Sequence, residues 1–308
     1  MKFIVALLLT LVLAGVMIYF WFPDWLIESG IRALRWWVGL KRYEVQVDDH
    51  RWVYLEGGKG EPILFLHGFG ADKDRWGPFL KTFRGSYRVI APDLPGFGEN
   101  SRVASAGYDI PSQVQRLDCF VETIGLDSFH LVGISMGGYI SGYYAGEYPE
   151  KVKSLVLIAP AGVKSEIPSH VWQRYQKEGK NVLLYQTPTQ FEELVSVVTH
   201  RPPWVPGVVK KYFSKKGAVN YNFNKKILQG IVNGGQNLLE SRLPKIKAKT
   251  LIIWGRDDRV INVSSVKNFE AGLKDSRTVI IEDCGHVPYF EKPEETKRAY
   301  REFLASLH

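Results

Sequence analysis

Ser135 lies at the centre of Gly133-Ile134-Ser135-Met136-Gly137, between an apolar β-type run (FHLVGI, 129–134) and a stretch with helical period. A strand that turns sharply into a helix holds its central residue in a strained conformation, and side chains two positions to either side would collide with the turn. A hydroxyl placed there is a weak nucleophile until a base takes its proton and a carboxylate fixes the useful tautomer of that base. Two later strand ends supply those groups. Asp258 follows TLIIWG in W-G-R-D-D, and His286 follows RTVIIED in C-G-H. The chain order Ser135, Asp258, His286 therefore predicts acyl-transfer chemistry at the ends of separate strands. Asp257 is a rival to Asp258, because position at a strand end does not separate neighbours. An oxyanion needs two backbone N–H donors, which Phe69 in His67-Gly68-Phe69-Gly70 and Met136 after the nucleophile would provide. His67 reads as structural, since a second base has no task, and Asp93 to Gly98 (DLPGFG) reads as turn chemistry. Cys284, two residues before His286, reads as a small buried residue rather than a reactive thiol. The route needs no cofactor, and the sequence shows no metal-spaced His or Cys cluster and no Gly-rich nucleotide loop.

The elements that must position these residues alternate. YEVQV (43–47) and WVYLE (52–56) predict a leading hairpin around Asp48-Asp49-His50, and PILFLHG, YRVIAPD, FHLVGIS, SLVLIAPA, TLIIWG and RTVIIED predict buried strands. Helical patterns over 111–124, 136–147 and 293–307 lie between or after them. Strand, crossover helix, strand gives an α/β fold: a mostly parallel eight-stranded sheet with helices on both faces. The alternation stops over residues 162–249, where RPPWVP (201–206) breaks the pattern and Thr189 with Glu192 matches a capping box. About 85 residues between two sheet strands is too long for a plain loop, and the segment reads as a helical lid. The expected organisation is an anchor over 1–42, a core over 43–161 and 250–308, and a lid over 162–249.

Phe3 to Phe22 is an uncharged apolar run of 20 residues, which as a helix spans roughly 30 Å and predicts an N-terminal transmembrane helix. A cleaved signal peptide ending at Val12-Leu13-Ala14 is the competing reading, but the run continues past Ala14 and closes with Tyr19, Trp21 and Trp25. Residues 24–42 read as an amphipathic helix lying either in the membrane interface or on the domain. Arg32, Arg35, Lys41 and Arg42 after the span favour a cytoplasmic domain by the positive-inside rule.

These motifs, H-G-F-G, D-L-P-G-F-G, G-I-S-M-G-G, W-G-R-D-D and D-C-G-H in this order, resemble the α/β-hydrolase fold family over residues 43–308. More narrowly, the N-terminal span, HGFGADKDRW (67–76) and TPTQFEEL (187–194) resemble its membrane-anchored monoacylglycerol lipase branch. The resemblance implies a serine ester hydrolase that cleaves lipid monoesters, with Ser135 as nucleophile, Asp258 as orienter and His286 as base. An esterase or carbon–carbon bond hydrolase with a soluble substrate would use the same machinery, because function belongs to the site and the lid shapes it. A non-catalytic relative would be expected to lack a triad member.

The formal charge of +8 divides unevenly: residues 1–42 carry +3, residues 162–249 carry +10 and the rest carries −5. Lys210-Lys211, Lys215-Lys216 and Lys225-Lys226 lie among Tyr212, Phe213, Tyr221 and Phe223. That pattern suits a bilayer with anionic headgroups as partner, or else a solvated basic surface whose aromatics turn inward. Nucleic acid uses the same residue types, but no nucleic-acid fold accompanies them. Two cysteines, Cys119 and Cys284, give no disulfide framework.

Overall fold

The structure, a computed structural model, describes residues 3, 4, 17 and 21–307. The predicted span over residues 3–22 thus lies almost wholly outside the described residues, and among these no helix is long and apolar enough to cross a membrane.

Described first is helix α1 (Pro23–Val38), which ends where Gly39 turns left-handed (φ 76°) and its N–H bonds back to Trp36 O. Lys41 and Arg42, expected in this helix, instead open strand β1 (Lys41–Val47). Of the two readings of this segment, packing on the domain holds for its C-terminal half. Val38 is buried, Leu34 packs over Gly77, and Arg35 makes a two-bonded pair with Asp74 (2.6 and 2.7 Å). Trp25 and Trp36 stay exposed.

β1 pairs antiparallel with β2 (His50–Gly57) through a two-residue turn in which Asp48 takes a positive φ, the conformation such turns require. Strands β3 (Pro62–Leu66), β4 (Arg88–Pro92), β5 (Phe129–Ile134), β6 (Val152–Ile158), β7 (Lys249–Gly255) and β8 (Ser276–Ile281) follow. Among the described residues they form an eight-stranded sheet in the order β1-β2-β4-β3-β5-β6-β7-β8, parallel from β4 to β8. The central strands are apolar without alternation because helices cover both faces. Those helices are α2 (Gly77–Lys81), α3 (Ile110–Thr123) and α4 (Met136–Glu147) early in the chain. Helices α8 (Val266–Gly272), α9 (Pro288–Glu291) and α10 (Pro293–Ala305) follow β7. Two large apolar clusters result: Trp52, Phe120 and Ile252 belong to one, Phe65, Ile253 and Tyr300 to the other.

Between β6 and β7 lie α5 (His170–Glu178), α6 (Pro188–Val198) and α7 (Gly207–Asn233). The capping box of α6 belongs to Thr187 and Gln190, not to Thr189 and Glu192 as the sequence pattern suggested. Pro188 explains the shift. It occupies the first helical position, where a missing N–H costs nothing, so the cap falls one residue before it. Helix α7 crosses the DLPGFG turn, and a Cβ at Gly96 (φ 87°) would lie 2.6 Å from Ile227.

Candidate active site

Ser135 joins β5 to α4 with φ 56° and ψ −118°, a conformation a non-glycine residue holds only at a cost of roughly 1–3 kcal/mol. The glycines around it are required by contact. A Cβ on Gly133 would stand 2.3 Å from Gly137 O, and one on Gly137 would stand 2.4 Å from both Leu66 O and His67 O at the end of β3. Gly138 faces Pro160 in the same way, at 2.8 Å. The turn is tied down by Ser135 N–H to Ile158 O (3.0 Å), while Ser135 O accepts Tyr139 N–H (2.9 Å) and Ala161 N–H (3.1 Å).

His286 and Asp258 are brought together after β8 and β7. Nδ1 of His286 lies 2.7 Å from Asp258 Oδ2, and both side chains are buried, Asp258 completely. Asp258 Oδ2 also accepts Trp254 Nε1–H (3.0 Å), while Oδ1 accepts the Val260 and Ile261 N–H groups (2.8 and 3.0 Å). The carboxylate is thus fixed by three donors besides the imidazole. Asp257 points elsewhere: its Oδ2 lies 3.0 Å from His200 Nδ1, and its side chain is 39% exposed. The two turns touch, since a Cβ on Gly255 would lie 2.0 Å from Gly285 O.

Phe69 follows Gly68, whose added Cβ would sit 3.3 Å from Ser135 Cβ and 3.8 Å from its Oγ. The backbone entering Phe69 therefore runs beside the hydroxyl. Met136 opens α4, so its N–H is one of the first-turn donors without an intrahelical partner. His67 fixes this loop: its Nε2 accepts Leu94 N–H (2.9 Å) and its Nδ1–H donates to Gly68 O (2.8 Å). Burial holds the imidazole below its ordinary pKa, which suits a neutral ring with one donor and one acceptor.

Sequence reasoning missed Lys73. It is buried, donates its N–H to Asp93 Oδ1 (2.8 Å), and places its ammonium 2.7 Å from Asp93 Oδ2 and 2.8 Å from Glu99. Asp93 also accepts Glu99 N–H (2.7 Å), so it ties the loop after β3 to the turn after β4. Only glycine fits at position 98, where a Cβ would lie 2.1 Å from the Asp93 carboxyl carbon. The signal was present as the spacing of Lys73 and Asp93 after adjacent strands, but their pairing needs the fold. Cys284 is buried, which pushes its thiol up to about 12 and keeps it protonated and inert.

His200, Asp257 and Asp283 gather donor atoms within 4.8 Å of one another. The carboxylates face different ring nitrogens, Asp257 at 3.0 Å from Nδ1 and Asp283 at 3.6 Å from Nε2, so they flank the ring rather than converge on one point.

A strained serine on a strand-to-helix turn, with a carboxylate-held histidine at the same edge of a mostly parallel sheet, places the chain in a defined class. The model of the alpha/beta hydrolase fold matches residues 61–293, and the chain belongs to that family. Within it, the chain is similar to Lipase 1 of Psychrobacter immobilis, with 36% identity over 83% of this chain and 81% of the relative. It is also similar to the monoacylglycerol lipase ABHD6 of Homo sapiens, with 31% identity over 96% of this chain and 92% of the relative. Among solved structures, that of a membrane phospholipase A, described as a bacterial virulence factor, superposes with a TM-score of 0.90 and 38% identity, covering 100% of this chain and 99% of the other.

Proposed function

We propose that Ser135, His286 and Asp258 form the catalytic triad of a serine hydrolase that cleaves lipid monoesters. The protein is a lipid ester hydrolase of the α/β-hydrolase family, like the lipases it is similar to. The observation that carries the triad is the buried 2.7 Å contact between His286 and Asp258 at the sheet edge where Ser135 is held in its strained turn.

His286 Nε2 takes the proton of the Ser135 hydroxyl while Nδ1–H donates to Asp258, and the oxygen adds to the ester carbonyl. The oxyanion forms between the Phe69 and Met136 N–H groups. His286 then passes its proton to the departing alcohol, leaving an acyl group on Ser135. Water repeats the sequence and releases the fatty acid. The names of the relatives share an acyl ester of a lipid, and a monoacylglycerol is the simplest such substrate.

Residues 43–161 and 250–308 are the catalytic core in this reading, and residues 162–249, with α5 to α7, are the lid. Residues 3–22 anchor the protein in the bilayer, and the exposed Trp21, Phe22, Trp25 and Trp36 suit the membrane interface. The cations that follow the span favour a cytoplasmic domain. The experiment is hydrolysis of monoolein by the wild type and Ser135→Ala. Activity is expected to be lost in the variant, and retention of most of it would reject the assignment.

A further inference from the structure

After α6 the chain passes over the loop that carries His286. Val198, the last residue of α6, accepts His286 N–H at 2.9 Å. The carboxylate of Glu291, on α9, accepts Gly285 N–H through Oε1 (2.9 Å) and His200 N–H through Oε2 (2.6 Å). One carboxylate therefore holds both the residue before the proposed base and the segment leaving α6. The His200 imidazole reaches the other way, with Nδ1 3.0 Å from Asp257 and Nε2 3.6 Å from Asp283. Position 285 has no room for a side chain, since a Cβ would meet His200 N at 2.8 Å and Glu291 Oε1 at 2.9 Å. Asp258 fixes the rotation of the His286 ring but leaves the backbone of its loop to other ties.

We propose that Glu291 and His200 are positioning residues that clamp the end of α6 to the turns carrying Asp258 and His286. The seating of the helical insertion then sets the placement of the base. This rests on the reading of His286 as general base. Neither residue touches reacting atoms. Both act through the His286 loop, where a misplacement of about 1 Å is enough to cost a factor of roughly 100 in rate.

The test uses the full chain with Glu291→Gln and His200→Ala. Glutamine keeps the size of Glu291 but turns one acceptor into an NH2 group facing an N–H, and alanine removes the imidazole while keeping the backbone donor. The readouts are the rate of Ser135 labelling by a fluorophosphonate, kcat and KM on a short soluble ester, and thermal unfolding. Each variant is expected to lower the labelling rate and kcat by about 10- to 100-fold with KM within about twofold. The double variant should lose less than the product of the two, because both act on one clamp. Labelling rates within about twofold of wild type in the folded variants, with only the unfolding temperature lowered, would overturn the clamp. If Glu291→Gln does not fold, His200→Ala decides alone. His286→Ala separates the two levels. If it still labels at the wild-type rate, the base assignment has failed; if it does not label while the clamp variants do, only the clamp has failed.

Discussion

Asp257 and Asp258 are adjacent in sequence and have opposite surroundings. Asp258 is completely buried and receives Trp254 Nε1–H, two backbone N–H groups and His286, whereas Asp257 is half-exposed and faces His200. A carboxylate that orients a histidine must itself be fixed, and only Asp258 is. Asp258→Asn is expected to keep the fold and lower kcat by roughly 10⁴-fold, because the amide favours the wrong tautomer of His286. Asp257→Asn should stay within about 100-fold of wild type, since it reaches the base only through the proposed clamp. Ester hydrolysis by the two variants, measured side by side, checks the choice, and equal losses would contradict it. At this scale the sequence named Ser135, Asp258 and His286 because strand-end positions are legible as motifs. Lys73, His200 and the link from Glu291 to His200 were not legible, because Asp93 lies 20 residues from Lys73 and Glu291 lies 91 from His200, and these contacts exist only once the sheet order is known.

The elements of the sheet followed from apolar runs because a buried central strand has no other way to satisfy its environment. Their ends did not follow as well. Residue 39 ends α1 by turning left-handed, so Lys41 and Arg42 enter β1 and the amphipathic pattern overran its helix by four residues' worth of sequence, from Val38 to Arg42. In α6 the capping pattern of Thr189 and Glu192 lies two residues beyond the box that Pro188 selects. The consequence is measurable. Thr187→Ala should destabilise α6 by about 1 kcal/mol, through loss of the bond from Gln190 N–H to the Thr187 hydroxyl. Thr189→Ala should stay within about 0.5 kcal/mol. Amide hydrogen exchange over 188–198 distinguishes them, and the reverse order would mean that the cap is misplaced.

Over the whole molecule the charge follows the architecture: a body of −5 carries a basic N-terminal segment and a basic insertion, which meet where Lys215 pairs with Asp24 at 2.6 Å. The lysines and aromatics of α7 are intermixed: the Lys216 ammonium lies 4.5 Å over the Tyr212 ring and that of Lys226 lies 5.8 Å over the Phe223 ring. Tyr212 is buried, Phe213 stacks on Phe191 at 5.4 Å, and Phe223 meets Tyr108 edge-on at 5.2 Å. These rings pack within the insertion and against the core, while Lys211, Lys215, Lys216 and Lys225 remain exposed. With the rings packed inward, the exposed lysines are the groups through which α7 would attract an anionic bilayer. Changing those four lysines to Gln in a chain lacking residues 1–22 should weaken binding to anionic vesicles by about 1 kcal/mol per lysine and flatten its salt dependence. Unchanged binding would leave the charge without that role. The proposed chemistry at Ser135 is tested most directly by fluorophosphonate labelling followed by peptide mapping. One adduct is expected, on the peptide containing Ser135, absent from Ser135→Ala and strongly slowed in His286→Ala. An unlabelled folded protein, or an adduct on another residue, would contradict it.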